Sequence, residues 1–286
     1  MMQPSPSASV IITTYNNPRY LELVLAGYAR QTTSDFEVVI ADDGSGPETA
    51  GLIERVREGG FPVPLIHVWQ PDQGFRSARS MNLSVLKSSG RQLVFTDGDC
   101  VPPATMVSEH LRAARAKTLV VGGHVRLDEA ASSRVDVAAV RRGAHEQLIT
   151  PSDRRRMFGW HLKNLFYIAT GAARRPKIFG LNMAIDRPTF ESLNGFDLRF
   201  IDKPRQDSDL RNRVRRAGLN VACIWHRCIG VHLWHPEHKG RNGWSEADAY
   251  YRRKDLDVVA ERGLRELAAE VGIDAVGELQ LGQGAV

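Results

Sequence analysis

A mainly parallel α/β sheet flanked by helices is the fold class this sequence predicts, and two observations carry the prediction. Four short apolar runs, residues 9–15, 36–41, 64–69 and 92–95, alternate with three stretches of helical character, the β-α-β-α-β-α-β order of a sheet wound with helices. Polar residues gather where those runs end: Thr13 to Asn16, Asp42 and Asp43, Asp97 and Asp99. Open α/β sheets bind ligands at the carboxyl ends of their strands, so the pattern that predicts the fold also predicts where a site lies.

Ser9-Val10-Ile11-Ile12-Thr13-Thr14-Tyr15 is β-branched and does not alternate, as expected of a strand buried on both faces. Asn16-Asn17-Pro18 caps and opens a helix running to about Gln31, with Leu21, Val24, Leu25 and Tyr28 on one face. Phe36 to Ala41 is a second buried strand that ends in Asp42-Asp43-Gly44-Ser45-Gly46, and a helix follows from about Pro47. Pro64 to Trp69 is the third strand, and a helix from about Arg76 to Lys87 leads into the fourth, Gln92-Leu93-Val94-Phe95. After Gly123 the alternation stops. The later sequence predicts two helices, roughly 134–148 and 153–169, a strand from Lys177 to Ile185 and a turn at Asn194-Gly195-Phe196-Asp197. A helix from Asp207 to Ala217 closes at Gly218, and short strands lead to Val231-His232-Leu233-Trp234-His235-Pro236.

With 286 residues and 42% hydrophobic content the chain can build a substantial core. Met1 to Ser7 carries neither a basic leader nor an apolar stretch of signal-peptide length, and no later segment reaches transmembrane length, so a cytoplasmic location is expected. Cys100, Cys223 and Cys228 contain no CxxC pair, which argues against a disulfide framework and against a structural zinc site. The net charge of +5 is unevenly spread: residues 134–177 hold ten Lys/Arg against three acids, and such local basicity favours a specific anionic partner. Neither GxGxxG nor GxxxxGK[ST] occurs, which leaves dehydrogenase and P-loop readings without support.

Phe95-Thr96-Asp97-Gly98-Asp99-Cys100 is the most informative segment. Asp-Gly after a strand is a common turn. Two aspartates one glycine apart also repel unless a cation lies between them, and hard divalent ions take carboxylate oxygens and complete their shells with substrate phosphates. The hexapeptide alone is compatible with either.

The motifs taken together, Val10 to Asn16, Ala41-Asp42-Asp43-Gly44-Ser45, Gln73-Gly74-Phe75-Arg76 with Arg79 and Asn82, and Phe95 to Asp99, resemble family 2 glycosyltransferases of the GT-A fold. Gly180-Leu181-Asn182-Met183, Asn194 to Asp197, Gln206-Asp207-Ser208-Asp209-Leu210 and His232 to His235 resemble the galactosyltransferase-like second half of bacterial surface-polysaccharide and lipopolysaccharide members. The likeness covers about residues 8 to 236. It implies a metal-dependent, inverting transfer of a sugar from a UDP-sugar donor to a glycan or lipid-linked acceptor.

Carried over residue by residue, the resemblance implies a uridine pocket at Thr13, Tyr15, Asp43 and Arg76, with Asp97 at the ribose. A carboxylate accepts the uracil imide hydrogen, and Arg76 can meet the base or the diphosphate. Strand-end packing would equally account for Thr13 and Tyr15, and a helix-capping turn for one of Asp42 and Asp43. Asp99, with Asp97, would ligate Mn²⁺ or Mg²⁺, and His232, or His235 in its place, would complete the shell. Asp207 aligns with the base that deprotonates the acceptor hydroxyl, and Asp209 is the substitute. The family's Gly-Trp-Gly stretch and Glu-Asp pair are replaced here by Ile201-Asp202-Lys203-Pro204-Arg205-Gln206-Asp207, a departure that bears on acceptor identity. It also motivates a rival reading, a catalytically silent nucleotide-sugar-binding module.

The implied organisation is a disordered N-terminus at 1–8, a GT-A domain at 9–240, and a helical tail at 241–286. Within the domain, 9–123 is the nucleotide-binding half and 124–240 the acceptor half, with a basic helical insert at 134–177. Arg154-Arg155-Arg156, followed by Phe158, Trp160, Leu162, Leu165, Phe166 and Tyr167, fits a core helix with a solvated basic end. It also fits peripheral contact with anionic lipid through 153–177, at the inner face of a plasma membrane. A nucleic-acid-binding protein using the basic segment is a further rival reading, ranked last because no recognition motif accompanies the charge, and no nucleic acid is expected as a partner.

Overall fold

The computed structural model describes residues 5–172, 175–201, 205–236, 251–252 and 257–273. Its first half follows the expected alternation: β1 (Ala8–Thr14), α1 (Pro18–Tyr28), β2 (Phe36–Asp42), α2 (Pro47–Glu58), β3 (Leu65–Trp69), α3 (Ser77–Leu86) and β4 (Gln92–Asp97). β1 lies between β2 and β4, parallel to both. It exposes almost nothing on either face, which is why its sequence does not alternate. Asn17 caps α1 by accepting from the Tyr20 amide, with Pro18 at the first helical position. The helix stops at Tyr28, short of Gln31, whose side-chain amide turns back to the Gly27 carbonyl at 3.2 Å and reaches the Pro103 carbonyl at 2.8 Å.

The sheet then continues beyond the four expected strands. After β5 (Cys100–Val101) and α4 (Met106–Ala113) come β6 (Thr118–Val121) and β7 (Gly123–Arg126); later strands are β8 (Met183–Asp186), β9 (Asn220–Cys223) and β10 (Ile229–His232). Among the described residues the main sheet has the order β3-β2-β1-β4-β8-β6-β9, and β5-β10-β7 forms a small second sheet. Only β8 runs against its neighbours in the main sheet. Phe95 on β4 packs against Phe190 and Phe196, with ring centroids 5.4 and 5.0 Å away, so the apolar face of this strand anchors the centre of the core.

The segment after Gly123 departs from expectation in several places. In place of one helix at 134–148 there are α5 (Glu129–Ser133), α6 (Val137–Arg141) and a 3-10 turn at Ala144–Leu148. Asp128 and Asp136 each cap a separate start, accepting from the amides of Ala131 and Ala139, and Gly143 at φ 77° ends the second piece in the left-handed region. The strand expected at 177–185 is a 3-10 turn at Gly180–Asn182 followed by β8. Asn182 points inward there, its amide bonded to the carbonyls of Gly123 at 2.8 Å and Cys228 at 3.1 Å. α7 (Pro151–Ala169) starts a little before the expected residue 153, on a Thr150/Asp153 capping box. α8 (Arg187–Ser192) precedes the Asn194-Gly195 turn, and α9 (Gln206–Arg216) ends at Gly218, φ 67°.

At the N-terminus the expected disorder does not extend through residue 8: the Ser7 amide donates to Asp35 at 2.9 Å and Ala8 opens β1. The expected C-terminal tail lies largely outside the described residues. Within it, α10 (Leu264–Glu270) buries Leu264 and Leu267 and packs on α3, and Asn194 accepts from the Leu264 amide at 2.9 Å. No helix among the described residues is long and apolar enough to cross a membrane.

Candidate active site

β4 delivers Asp97, and Gly98 explains how Asp99 follows it so closely. The Gly98 amide donates to the Thr13 carbonyl at 2.7 Å, and a Cβ on Gly98 would sit 2.7 Å from that same oxygen. Only glycine lets the chain fold onto β1 here. Asp97 then accepts from the Thr13 hydroxyl at 2.9 Å. Burial, and after it the charge of Asp99, push the Asp97 carboxyl up to about 6.

Asp99 meets the end of β10 because Cys100 pairs with His232 across the small sheet and the Leu233 amide donates to the Asp99 carbonyl at 2.9 Å. His232 Nε2 lies 3.6 Å from Asp99 Oδ1, and His235 Nε2 lies 3.2 Å from Oδ2. One donor atom from each of the three falls within 4.8 Å of the others, the one such cluster found among the described residues. Asp99 Oδ1 and His232 Nδ1 are buried without a hydrogen-bond partner. Desolvation holds His232 down to about 4, so its ring is neutral and its lone pair is free to bind a cation. A carboxylate with two imidazoles and an unsatisfied oxygen fits a divalent cation. Both histidines named from sequence are brought to Asp99.

The other strand ends supply a second group of residues. Asp43 accepts from the Gln70 side-chain amide at 2.5 Å and from the Arg76 backbone amide at 2.7 Å, so it fixes the start of α3. Burial raises its carboxyl above the usual range. Arg76 donates through Nη2 to the Pro71 carbonyl at 3.3 Å, while its Nε is buried and unpartnered. Tyr15 is 46% exposed, and its hydroxyl donates to Asp72 at 2.9 Å. Neither aspartate caps α2, whose N-cap is Gly46 with no side-chain cap; Asp42 closes the preceding turn, accepting from the Ser45 amide at 2.8 Å and pairing with His67 at 2.9 Å.

Asp207 lies in the first turn of α9, where its oxygens accept from the amides of Gly180 at 3.1 Å and Ser208 at 2.6 Å. Burial raises its carboxyl, and its charge in turn raises Asp97. The substitute base Asp209 is committed elsewhere. It holds Arg213 Nε at 2.7 Å in a pair only 2–3% exposed, and Arg213 also donates to the carbonyls of Leu193 and Gly195 at 2.8 Å. Asp209 therefore secures the Asn194-Gly195 turn. Gln206, standing where the family carries glutamate, is buried; residues 202–204 lie outside the described set.

Sequence reasoning missed β7. His124 sits edge-on to Phe179, centroids 4.5 Å apart, and 6.0 Å from the His232 ring, with burial pushing it down to about 4. Arg126 pairs in register with His232, and its charge acts on Asp99. The signal was present in Gly123-His124-Val125-Arg126, because polar residues two apart on a strand share a face.

Comparison with known proteins bears on the family and the fold. The family model "Glycosyl transferase family 2" matches residues 9–180, and "N-terminal domain of galactosyltransferase" matches 162–236. The chain is 37% identical over 94 residues to validoxylamine A glucosyltransferase of Streptomyces hygroscopicus subsp. jinggangensis, covering 32% of this chain and 22% of the relative. It is 23% identical over 255 residues to chondroitin synthase of Escherichia coli, covering 84% and 36%. The chain thus spans well under half the length of these relatives. Among solved structures it resembles the Pyrobaculum calidifontis mannosyltransferase PcManGT in complex with GDP-Man and Mn²⁺, with TM-score 0.57, 20% identity and coverage of 83% of this chain and 59% of that one. Staphylococcus aureus TarS 1–349 in complex with UDP-GlcNAc gives TM-score 0.60 at 12% identity, covering 93% and 66%. The fold is that of GT-A glycosyltransferases, and the chain belongs to glycosyl transferase family 2.

Proposed function

We propose that this protein is a metal-dependent, inverting glycosyltransferase. It would move a sugar from a UDP-sugar to a hydroxyl of a glycan or lipid-linked acceptor, in the synthesis of cell-surface polysaccharide or lipopolysaccharide. The observation that carries the reading is the Asp99-His232-His235 cluster, with one donor atom of each within 4.8 Å of the others, directly after the strand that delivers Asp97. Nucleotide-sugars in the complexes of PcManGT and TarS support the donor class.

In this reading Thr13, Tyr15, Asp43 and Arg76 form the uridine side. Each Asp43 oxygen retains a lone pair beyond its present bond and can accept the imide hydrogen, while the Arg76 guanidinium faces the base or diphosphate. Asp97 orients the ribose. Asp99, His232 and His235 would hold Mn²⁺, or Mg²⁺ with its stronger preference for oxygen, and the cation when bound supplies charge neutralisation to the leaving diphosphate. Ionised Asp207 accepts the proton of the acceptor hydroxyl as that oxygen bonds to the anomeric carbon. The bond to the UDP oxygen breaks on the opposite face, its electron pair leaves with UDP, and the configuration inverts.

The test is Asp207→Asn. UDP affinity should stay near wild type while transfer falls by about 10²–10⁴-fold, the usual contribution of a positioned general base; wild-type turnover would refute the assignment.

A further inference from the structure

We propose that the outward face of α7 seats on an anionic lipid bilayer. Across its 19 residues α7 buries only Met157, His161 and Asn164, with Ile168 partly packed. That 157, 161, 164, 168 spacing is one helical stripe and holds the helix's buried contacts among the described residues, while Phe158 and Trp160 add edge-on ring contacts to His226 and Trp225 at 6.1 and 5.7 Å. One residue along runs a second stripe of the same spacing, Phe158, Leu162 and Leu165 with Phe166 beside it, and it faces outward. Exposures are 51%, 51%, 42% and 64%. A surface helix ordinarily places its polar side there, so a contiguous set of large apolar residues marks an interaction face.

Charge selects the occupant. The helix carries Arg154, Arg155, Arg156 and Lys163 against one acid, Asp153, which caps it and pairs with Arg156 at 2.6 Å. Arg154 and Arg155 are exposed one turn before Phe158, while Arg156 and Lys163 lie over the rings of Trp160 and Tyr167 at 5.8 and 5.9 Å. Long basic side chains that carry their charge to the rim of an apolar stripe, with Trp and Tyr alongside, complement an acyl surface bearing anionic headgroups. A nucleic-acid backbone would use the charges and leave the apolar stripe in water.

The face is also close to the site. Ring contacts run from Trp160 to Trp225 at 5.7 Å, on to Phe179 at 5.6 Å, then to His124 at 4.5 Å and His232 at 6.0 Å. A bilayer under α7 would sit at one end of this run of ring contacts, on the side from which a lipid-linked acceptor would come, a consequence that rests on the proposed function; the seat itself does not.

The experiment is vesicle flotation of the full chain with equal parts phosphatidylglycerol and phosphatidylcholine, and with phosphatidylcholine alone. The wild type should float with the mixed vesicles and far less with the neutral ones. Phe158→Ser with Leu162→Ser should lower partitioning about tenfold or more, and Arg154→Glu with Arg155→Glu by a similar factor. Neither pair should change UDP affinity measured on the same preparations. Failure of the wild type to float with anionic vesicles, or equal flotation of wild type and both variants, overturns the seat. So does a wild-type dimer that the serine pair dissociates with no vesicle binding, which would make the face a contact between copies. Vesicle binding without UDP binding would leave the seat standing and remove the proposed function.

Discussion

Gly98 is small because β1 passes under it. A methyl group there would meet the Thr13 carbonyl, a backbone atom of the central strand that cannot give way. Gly98→Ala should therefore separate Asp97 from Asp99 at a cost of about 1–3 kcal/mol, seen as a lowered denaturation midpoint together with weaker Mn²⁺ binding by calorimetry. The two acids of α9 should respond in opposite ways. Asp209→Ala leaves Arg213 buried and unpaired and should destabilise the fold by about 3–5 kcal/mol in urea, whereas Asp207→Asn should leave the urea midpoint near wild type and remove transfer. Because burial raises the Asp207 carboxyl and the base must be ionised, kcat should fall on acidification through a pKa above the usual carboxylate range. An acid limb at an ordinary carboxylate value would disagree. Asp97 and Asp99 stood out in the sequence by residue type and spacing at a strand end, whereas Asp207 and the two histidines were named only through the resemblance to the family. The roles of Asp209 and Arg213 were not legible there, since an i,i+4 Asp–Arg pair reads like any solvated helix pair until its burial is known.

Strands were legible where the chemistry leaves no choice. β1 and β2 are buried on both faces and read as unbroken apolar runs. The stretch 134–148 was not, because Asp128 and Asp136 compete as caps and Gly143 adopts φ 77°, choices made by tertiary contacts of short pieces. β4 should be the least tolerant element: Phe95→Ala removes the ring that joins Phe190 and Phe196 and should cost about 3–5 kcal/mol in chemical denaturation. α4 carries a pH dependence. His110 is fully buried with its ring nitrogen 2.7 Å from Asn182, and burial lowers it to about 4. Its neutral form is the one the fold accepts, so stability is complete above the ordinary histidine value near 6.5. It drains away at about 1.4 kcal/mol per pH unit as pH falls toward 4. Urea midpoints at successive pH values, with His110→Gln flattening the slope, check this.

At the scale of the whole molecule the site is a meeting of distant segments. Thr13 and Asp97 come from adjacent parallel strands, His232 from a strand of a second sheet, and Asp207 from a helix start held against Gly180. The sequence could name these residues in order, but their distances depend on β5 pairing with β10 and on the inward turn of Asn182, neither of which leaves a local signature. Removing Asp99 should thus disable cation and donor binding together while leaving the fold intact. Titration of UDP into the full chain by calorimetry, with Mn²⁺, with chelator, and with Asp99→Ala in Mn²⁺, tests this claim most directly. The account predicts UDP binding in Mn²⁺ that weakens at least about tenfold in the other two arms, since the charge of the diphosphate then loses its cation; equal UDP affinity in all three, or no UDP binding in Mn²⁺, would contradict it.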